Sequence, residues 1–251
     1  MKQLTRRALL TGGIVAAGAA VGTGLMAVGR RYGLVPPDSG GIYGAGETLA
    51  YAAHRIFGRH ALAREFPRDM ISAKPFANGV SRPTDEFLAH QAQNFATWRL
   101  EVGGHVARPA SFSLAELRKM EVRSQITEVV CEEGWSYIAE WTGTPLAAVL
   151  NAAGVRDTAR WLVYYSSDPD WWESIDIDEA MHAQTLVTWG MNGADLPVPF
   201  GGPLRLRVPR QLGYKSVKFL DRLILTDSLA GFGDGRGQSA ANDGYAWYAG
   251  I

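Results

Sequence analysis

Apolar and polar residues alternate along a stretch near the middle of the chain. In "TWRLEVGG", Trp98, Leu100 and Val102 alternate with Arg99 and Glu101, and two glycines follow. Successive side chains of a strand point to opposite faces, so this pattern predicts a half-buried β-strand that ends at the glycines. Alternation or enrichment in β-branched and aromatic residues predicts further strands in "SQITEVV", "RWLVYYS", "TLVTWGM", "PLRLRVP" and "VKFLDRLILTD".

The helices that the pattern predicts are short. Ser113 and Glu116 have the spacing of a capping box. Pro145 is predicted at the first position of a helix that Gly154 ends, and "DIDEAMHA" indicates another short capped helix. Strands outnumber helices and no long βαβ rhythm is present. The sequence therefore predicts an α+β fold, a mixed β-sheet domain with short helices.

The chain divides by composition into a first segment (residues 1–35), a lead-in (36–95), a main domain (96–230) and a Gly-rich C-terminal tail (231–251). In the first segment Arg6 and Arg7 precede a run without charge from Ala8 to Gly29. The arginine pair resembles a twin-arginine export signal, and an ordinary secretory signal is the alternative. The run is also long enough to span a bilayer, so an N-terminal anchor through residues 8–29 stays open.

Overall charge excludes one class of partner. The 25 basic and 25 acidic residues give a formal net charge of zero. A protein that binds nucleic acid through many phosphates needs a surplus of Lys and Arg. No nucleic-acid partner is therefore expected, and any anion must bind at a local basic cluster.

Such a cluster lies in "PLRLRVPRQLGYKSVK", and a single cysteine lies in "TEVVCEEGWSY". Arg205 and Arg207 share one strand face, and Lys218 follows a turn at Gly213. This run indicates either a bound anion or an ordinary solvated strand face. Cys131 is either a reactive thiol or metal ligand, or a buried Cys that packs as a small hydrophobic side chain.

These two stretches carry a family resemblance. In order, the chain has a strand-end Cys followed by "EGW", then W-x-G-x-P-L, G-x-P-L-R-L-x-V-P and G-Y-K-x-x-K. This series resembles the molybdopterin-dependent oxidoreductases of the sulfite oxidase superfamily, over roughly residues 96–228. It is most similar to their exported bacterial branch, which contains the periplasmic methionine-sulfoxide reductase catalytic subunits. The resemblance implies the molybdopterin-binding fold of that superfamily for residues 96–230, with molybdenum and molybdopterin as cofactors.

The resemblance also implies a set of site residues. Cys131 matches the catalytic thiolate that binds molybdenum, and Arg205 matches an arginine that holds the pterin phosphate. The remaining matches to cofactor-binding positions are Asn78, Ser166, Ser216, Val217 and Lys218.

Two departures from the family pattern bear on the substrate. Val130 precedes the cysteine where the family has Arg, and "SSDPDWWESID" adds acids, Trp171 and Trp172 near the expected cofactor mouth. Loss of a cation and gain of acids disfavour a doubly charged anion such as sulfite. Alternatively, the two tryptophans only anchor a loop.

The resulting expectation is an exported oxidoreductase that transfers an oxygen atom in a two-electron reaction and reduces an S-oxide or N-oxide. The alternatives are a sulfite-oxidising enzyme of the same fold and a metal-free exported binding protein. The substrate is expected to be a small molecule or borne by a protein. Electrons are expected from a membrane cytochrome or a quinol-linked partner, in the periplasm.

Overall fold

The computed structural model describes residue 24, residues 26–78 and residues 84–251. Ten strands lie in this part of the chain: β1 Arg99–Gly104, β2 Ala110–Ser113, β3 Arg123–Val130, β4 Ser136–Pro145, β5 Trp161–Ser166, β6 Trp172–Asp176, β7 Leu186–Met191, β8 Ala194–Asp195, β9 Arg205–Arg207 and β10 Leu220–Thr226. Residues 26–31 are helical, and the α-helices that follow are α1 Gly44–Phe57, α2 Asp85–Ala92, α3 Leu114–Leu117, α4 Leu146–Ala153 and α5 Ile177–Ala180. The predicted α+β fold with short helices is confirmed.

The strands form two sheets. One has the order β2-β1-β10-β5-β6, in which β1 and β10 are parallel and the other pairs are antiparallel. The other runs β3-β4-β7-β8, and β9 pairs with β7 off that path. Pairing of β9 with β7 brings the basic run into the same sheet as the strand that leads to Cys131.

The largest cluster of buried apolar side chains joins β1, β10 and α4. Leu100 and Val102 of β1 are buried, as the alternation predicted, and they cluster with Leu223 of β10 and with Val149 and Leu150 of α4. Removing this apolar surface from water is the main stabilising contribution to the scaffold. The sheet ends are thereby fixed and position the loops that follow them.

Local capping agrees with the sequence at most places. Ser113 and Glu116 form the predicted capping box at the start of α3. Gly154 ends α4 with a φ of 74°, a conformation that suits glycine. Pro145, in contrast, is the last residue of β4 and the N-cap of α4 rather than its first helical residue.

The lead-in and the tail pack against the sheets. Backbone hydrogen bonds join Phe66 to Ile126 of β3 and Ser72 to Ile138 of β4. The Gly-rich tail is held by aromatic side chains, since Trp247 is buried and meets Tyr51 of α1 edge to face. Both terminal segments therefore belong to the packed structure that surrounds the main domain.

Two sequence predictions fall outside the described residues. The arginine pair Arg6–Arg7 and most of the uncharged run lie within residues 1–23. The turn predicted at Asn78–Gly79 continues into residues 79–83. Within the part that the structure does describe, no helix is both long and apolar enough to cross a membrane.

Candidate functional site

Cys131 lies in the tight turn that connects β3 to β4. Its backbone N–H donates to the Trp135 carbonyl (2.9 Å), and the Gly134 N–H donates to the Cys131 carbonyl (3.1 Å). Gly134 has a φ of 90°, which a side chain would disfavour. This geometry turns the Cys131 side chain, 5% exposed, to the wall of a pocket.

That pocket encloses about 220 Å³ at the ends of the β3 and β5 strands. Every site residue taken from the family resemblance contributes to its wall: Asn78, Cys131, Ser166, Arg205, Ser216, Val217 and Lys218. Their convergence from the lead-in, the β3–β4 turn, β5, β9 and the turn after Gly213 is a result of the fold. The cofactor-binding and catalytic roles of these residues stay predictions.

Two cations, one buried and one partly exposed, form the cationic end of the pocket. Arg205 is 5% exposed and donates to the carbonyls of Ser216 (2.9 Å) and Phe200 (3.0 Å). The Lys218 amine donates to the carbonyls of Asn78 (3.3 Å) and Pro199 (2.8 Å). Neither cation pairs with a carboxylate among the residues that the structure describes.

The charge of this pair is costly without a bound anion. Burial, and after it the neighbouring Arg205, lowers the pKa of Lys218 to about 8. A buried cation beside another cation gains stability when an anion binds between them. The residues therefore fit the phosphate group that the pterin cofactor carries.

Arg207 is a residue whose place the sequence did not predict. It is fully buried under the pocket, where it donates to the Ser216 hydroxyl (3.2 Å) and to the Glu128 carbonyl. Ser216 also accepts from the Val208 N–H (3.0 Å). The interpretation of the basic run as a solvated strand face is wrong, because both Arg205 and Arg207 are buried when β9 pairs with β7.

The surroundings of Cys131 keep its thiol protonated in the absence of a metal. The sulfur lies 3.4 Å from a Glu132 oxygen and 3.8 Å from a Glu133 oxygen. Burial first, and then these carboxylates, raise the pKa of the thiol to about 12. A bound metal ion would remove the proton and take the thiolate as a ligand.

The protein's own donors are too few to hold a bare metal ion. Within the described ranges, no group of three or more His, Cys, Asp or Glu side chains is arranged for a metal. One soft sulfur donor facing a pocket fits a metal whose other ligands belong to an organic cofactor. The site is therefore compatible with molybdenum carried by molybdopterin.

The open rim of the pocket is acidic and aromatic. Glu132 and Glu133 are exposed there, and Trp135, Asp168, Trp171 and Tyr245 are partly exposed, as Lys218 is. Trp171 meets Tyr245 edge to face, with ring centroids 5.6 Å apart. Burial, and then Glu132 and Glu133, raise the pKa of Tyr245 to about 12, so its hydroxyl stays protonated at neutral pH.

Sequence reasoning found part of this rim. Trp171 lines the pocket, as proposed for the inserted stretch, whereas Trp172 packs against Tyr165 and Phe232 and anchors a loop. Tyr245 was missed because it lies in the tail, far along the chain from Cys131. The one sequence feature that points to Tyr245 is the high aromatic content of the tail. This feature alone does not connect the tail to the pocket.

A pocket with one soft thiol donor and an unpaired cationic end is the kind of site that a metal cofactor with a phosphate group needs. Residues 88–230 match the family described as "Oxidoreductase molybdopterin binding domain", and the chain belongs to that family. The resemblance to the molybdenum oxidoreductases of the sulfite oxidase superfamily is confirmed. So is the cofactor, molybdopterin with molybdenum.

Similar proteins point to one branch of the family. The YedZ1 protein of Azospira oryzae, provisionally named as a protein-methionine-sulfoxide reductase subunit, is 35% identical over 195 residues, or 78% of this chain and 70% of its own. The MsrP catalytic subunit of a protein-methionine-sulfoxide reductase from Xanthomonas axonopodis pv. citri is 34% identical over 165 residues. That match covers 60% of this chain and 51% of MsrP, so the chain spans about half the length of this relative.

A solved structure supports the fold. The sulfane dehydrogenase SoxCD from Paracoccus pantotrophus superposes with a TM-score of 0.51 at 22% identity. The superposition covers 68% of this chain and 46% of that chain. The arrangement of two sheets with short helices is therefore shared with a protein of this fold.

Proposed function

We propose that this protein reduces a neutral S-oxide or N-oxide, with Cys131 as its ligand to molybdenum. Two electrons and two protons convert such an oxide into the reduced compound and water. The observation that carries the proposal is the polarity of the pocket. Of its cations, Arg205 is buried and Lys218 is partly exposed, whereas the carboxylates Glu132 and Glu133 are exposed and Asp168 is partly exposed.

The cationic end is suited to hold the cofactor. Arg205 and Lys218 would pair with its phosphate, and the Ser216 hydroxyl, fixed by Arg207, would add a hydrogen bond. Molybdenum supplies the two-electron redox chemistry and the position where oxygen is transferred. With the cations neutralised by the cofactor, little positive charge is left for a substrate.

The rim is suited to a neutral substrate with apolar substituents. Trp135, Trp171 and Tyr245 offer flat apolar surfaces, and aromatic rings make favourable contacts with sulfur. The carboxylates of Glu132, Glu133 and Asp168 repel a dianion such as sulfite, most strongly where water is excluded. The names of the relatives suggest peptide-borne methionine sulfoxide as one such oxide, and the open rim can admit a side chain.

The alternatives are less well supported. Sulfite oxidation would place a dianion among three carboxylates and without the arginine that Val130 replaces. A metal-free binding protein would retain an unpaired cationic end at a cost in stability, and it disagrees with membership of the family.

We also propose export to the periplasm by the twin-arginine route, with electrons from a membrane cytochrome or a quinol-linked subunit. The pair Arg6–Arg7 ahead of an uncharged run supports the route. A cofactor inserted in the cytoplasm crosses the membrane inside a folded protein, and that route carries folded proteins. Membrane anchoring through residues 8–29 is part of the same proposal.

Steady-state assays of the two reactions test the function. Metal-loaded protein should reduce methionine sulfoxide with an artificial electron donor at a higher kcat/KM than it oxidises sulfite. Asp168→Asn should raise kcat/KM for sulfite several-fold and leave the sulfoxide reaction nearly unchanged, whereas the exposed Asp157→Asn should change neither. A tenfold higher kcat/KM for sulfite than for methionine sulfoxide would correspond to about 1.4 kcal/mol of extra transition-state stabilisation for the sulfite reaction. That result would contradict the charge argument.

A further inference from the structure

Helix α1 has polar side chains on the side that faces the protein and apolar side chains on its exposed side. The side that faces the protein combines buried Tyr51 with polar groups: Glu47 accepts from the Tyr248 N–H (2.7 Å), and Arg55 pairs with Asp176 (3.2 Å). The exposed positions of the helix carry no polar side chain: they are Ala45, Gly46, Leu49, Ala50, Ala53, Ile56 and Phe57. A surface helix of a soluble domain normally shows the opposite arrangement.

The large exposed apolar side chains of α1 and of the residues on either side of it are here named the apolar α1 face and defined as Ile42, Leu49, Ile56, Phe57 and Leu62. Phe57 is 86% exposed, Ile42 73%, Leu49 71% and Leu62 66%. Leu49 and Ile56 are seven residues apart within the helix, which keeps them on one side of it, and Ile42 lies just before the helix begins. Such concentration of large apolar side chains marks an interaction surface.

The charges around this face are mostly basic. Between residues 26 and 65, the exposed charged side chains that the structure describes are Arg30, Arg31, Arg59 and Arg64 and one acid, Glu65. Asp178 of α5 pairs with both Arg55 and Arg59, so Arg30, Arg31 and Arg64 carry the positive charge that is left in this range. Two further exposed acids, Glu132 and Asp243, line the cavity beside Ala50. The face is therefore apolar, and the basic charge next to it lies in Arg64 and in Arg30 and Arg31, which follow the uncharged run.

We propose that the apolar α1 face lies in the surface of a bilayer that contains anionic phospholipid. Apolar side chains bordered by arginines are the composition of an interfacial helix. The uncharged run that ends at Gly29 precedes this face in the chain, and Arg30 and Arg31 lie between the two. A second copy of the chain fits less well, because face-to-face contact would bring the arginines together.

This placement would fix how the pocket is oriented. Tyr43 at the start of α1 donates to the Gly244 carbonyl of the tail (2.8 Å), and Tyr245 lines the pocket rim. A second cavity lies between α1 and the tail and shares Glu132, Tyr214 and Tyr245 with the pocket. The rim of the site would therefore stand close to the membrane surface.

Fluorescence quenching on the full-length, cofactor-loaded protein tests the proposal. A polarity-sensitive thiol probe is attached at Phe57→Cys, and the control is the same probe at Leu88→Cys. Leu88 is 46% exposed on α2, which packs on a separate core cluster through Phe87. Cys131 is buried, and its labelling is measured in the unchanged protein. Vesicles contain phosphatidylcholine with or without phosphatidylglycerol, and the quenchers are aqueous iodide and a spin-labelled lipid.

In vesicles with phosphatidylglycerol, the Phe57 probe should be quenched by the lipid and protected from iodide, and the Leu88 probe should show neither effect. Arg30→Gln or Arg64→Gln should raise the lipid concentration for half-maximal quenching about fivefold each. Leu49→Glu should abolish lipid quenching of the Phe57 probe while cofactor content is unchanged.

Other outcomes would overturn the proposal. Equal iodide quenching with and without vesicles would show that the face does not meet lipid. Protection from iodide in solution that grows with protein concentration would assign the face to a second copy. Protection that is independent of both protein and lipid concentration would show that another segment of this chain covers it.

Discussion

Replacing Lys218 with methionine should weaken cofactor binding and yet stabilise the cofactor-free protein. The amine is held at the pocket wall by the carbonyls of Asn78 and Pro199, next to Arg205 and without an acidic partner among the described residues. Methionine keeps the length of the side chain and removes its charge. A lysine that served only to support the fold would give the opposite result for stability.

The magnitude follows from the charge at this position. The fall in the pKa of Lys218 from 10.5 to about 8 corresponds to roughly 3 kcal/mol, which solvent at the partly exposed amine reduces to roughly 2. Loss of two hydrogen bonds offsets roughly 1 kcal/mol of this gain. We expect the cofactor-free variant to be on the order of 1 kcal/mol more stable.

This gain should depend on pH in a defined direction. The pKa of Lys218 is lowered in the folded state, so the cost of its charge is present in full below pH 8. The cost disappears as the pH rises from about 8 towards 10.5, where the amine of the folded protein is already neutral. The difference in stability between variant and unchanged protein should therefore shrink across that range.

The cofactor-loaded protein should respond in the opposite sense. Loss of a charge-assisted hydrogen bond to phosphate, about 1.5–3 kcal/mol, weakens cofactor affinity about 10- to 150-fold. Molybdenum and pterin contents after gel filtration measure retention. Urea unfolding of protein from a host that cannot make molybdopterin measures stability. Lys119→Met, at an exposed lysine, is the matched control. A Lys218→Met protein with normal pterin content and lower cofactor-free stability would refute the reasoning.

Three further changes probe other parts of the molecule. Cys131→Ser should abolish turnover with an artificial donor and leave the unfolding of cofactor-free protein nearly unchanged; normal activity would remove Cys131 as the metal ligand. Glu173→Gln should lower the free energy of unfolding by about 3–5 kcal/mol, because Lys215, fully buried and 2.7 Å from Glu173, would lose its counter-charge. A loss below 1 kcal/mol in urea denaturation would contradict that account. Arg6→Lys combined with Arg7→Lys should retain the protein in the cytoplasm, and undiminished periplasmic protein in cell fractions would indicate an ordinary secretory signal.

Much of the fold could be predicted because its signals are local. Alternation at Trp98, Leu100 and Val102 identified β1, and the capping box at Ser113 and Glu116 identified α3. Strand β4 was missed, although Tyr137, Ala139 and Trp141 are buried at alternate positions. Its Thr, Gly and Pro residues resemble a turn, and pairing with both β3 and β7 overrides that local preference.

The residues of the candidate site could also be predicted only where their sequence signals are local. Order and spacing of short motifs led to the family and to Cys131, Arg205 and Lys218, because each motif is contiguous in the chain. Asn78 lies in the lead-in, outside these motifs, and it reaches the pocket because the lead-in packs along the sheet that contains β3 and β4. Tyr245 carried no motif at all.

The sequence by itself determined the periodicity of strands and helices, the family and the residues of its motifs. Tertiary structure decided which charges are buried and which faces of the elements meet. Arg207 and the apolar α1 face show this most clearly, since the charged side chain is inside and the apolar helix face is outside. The physical reason is that burial is a property of the pairing of distant segments. Local pattern indicates the environment that a residue type prefers, and the packing of β9, α1 and the tail decides whether that residue is buried or exposed.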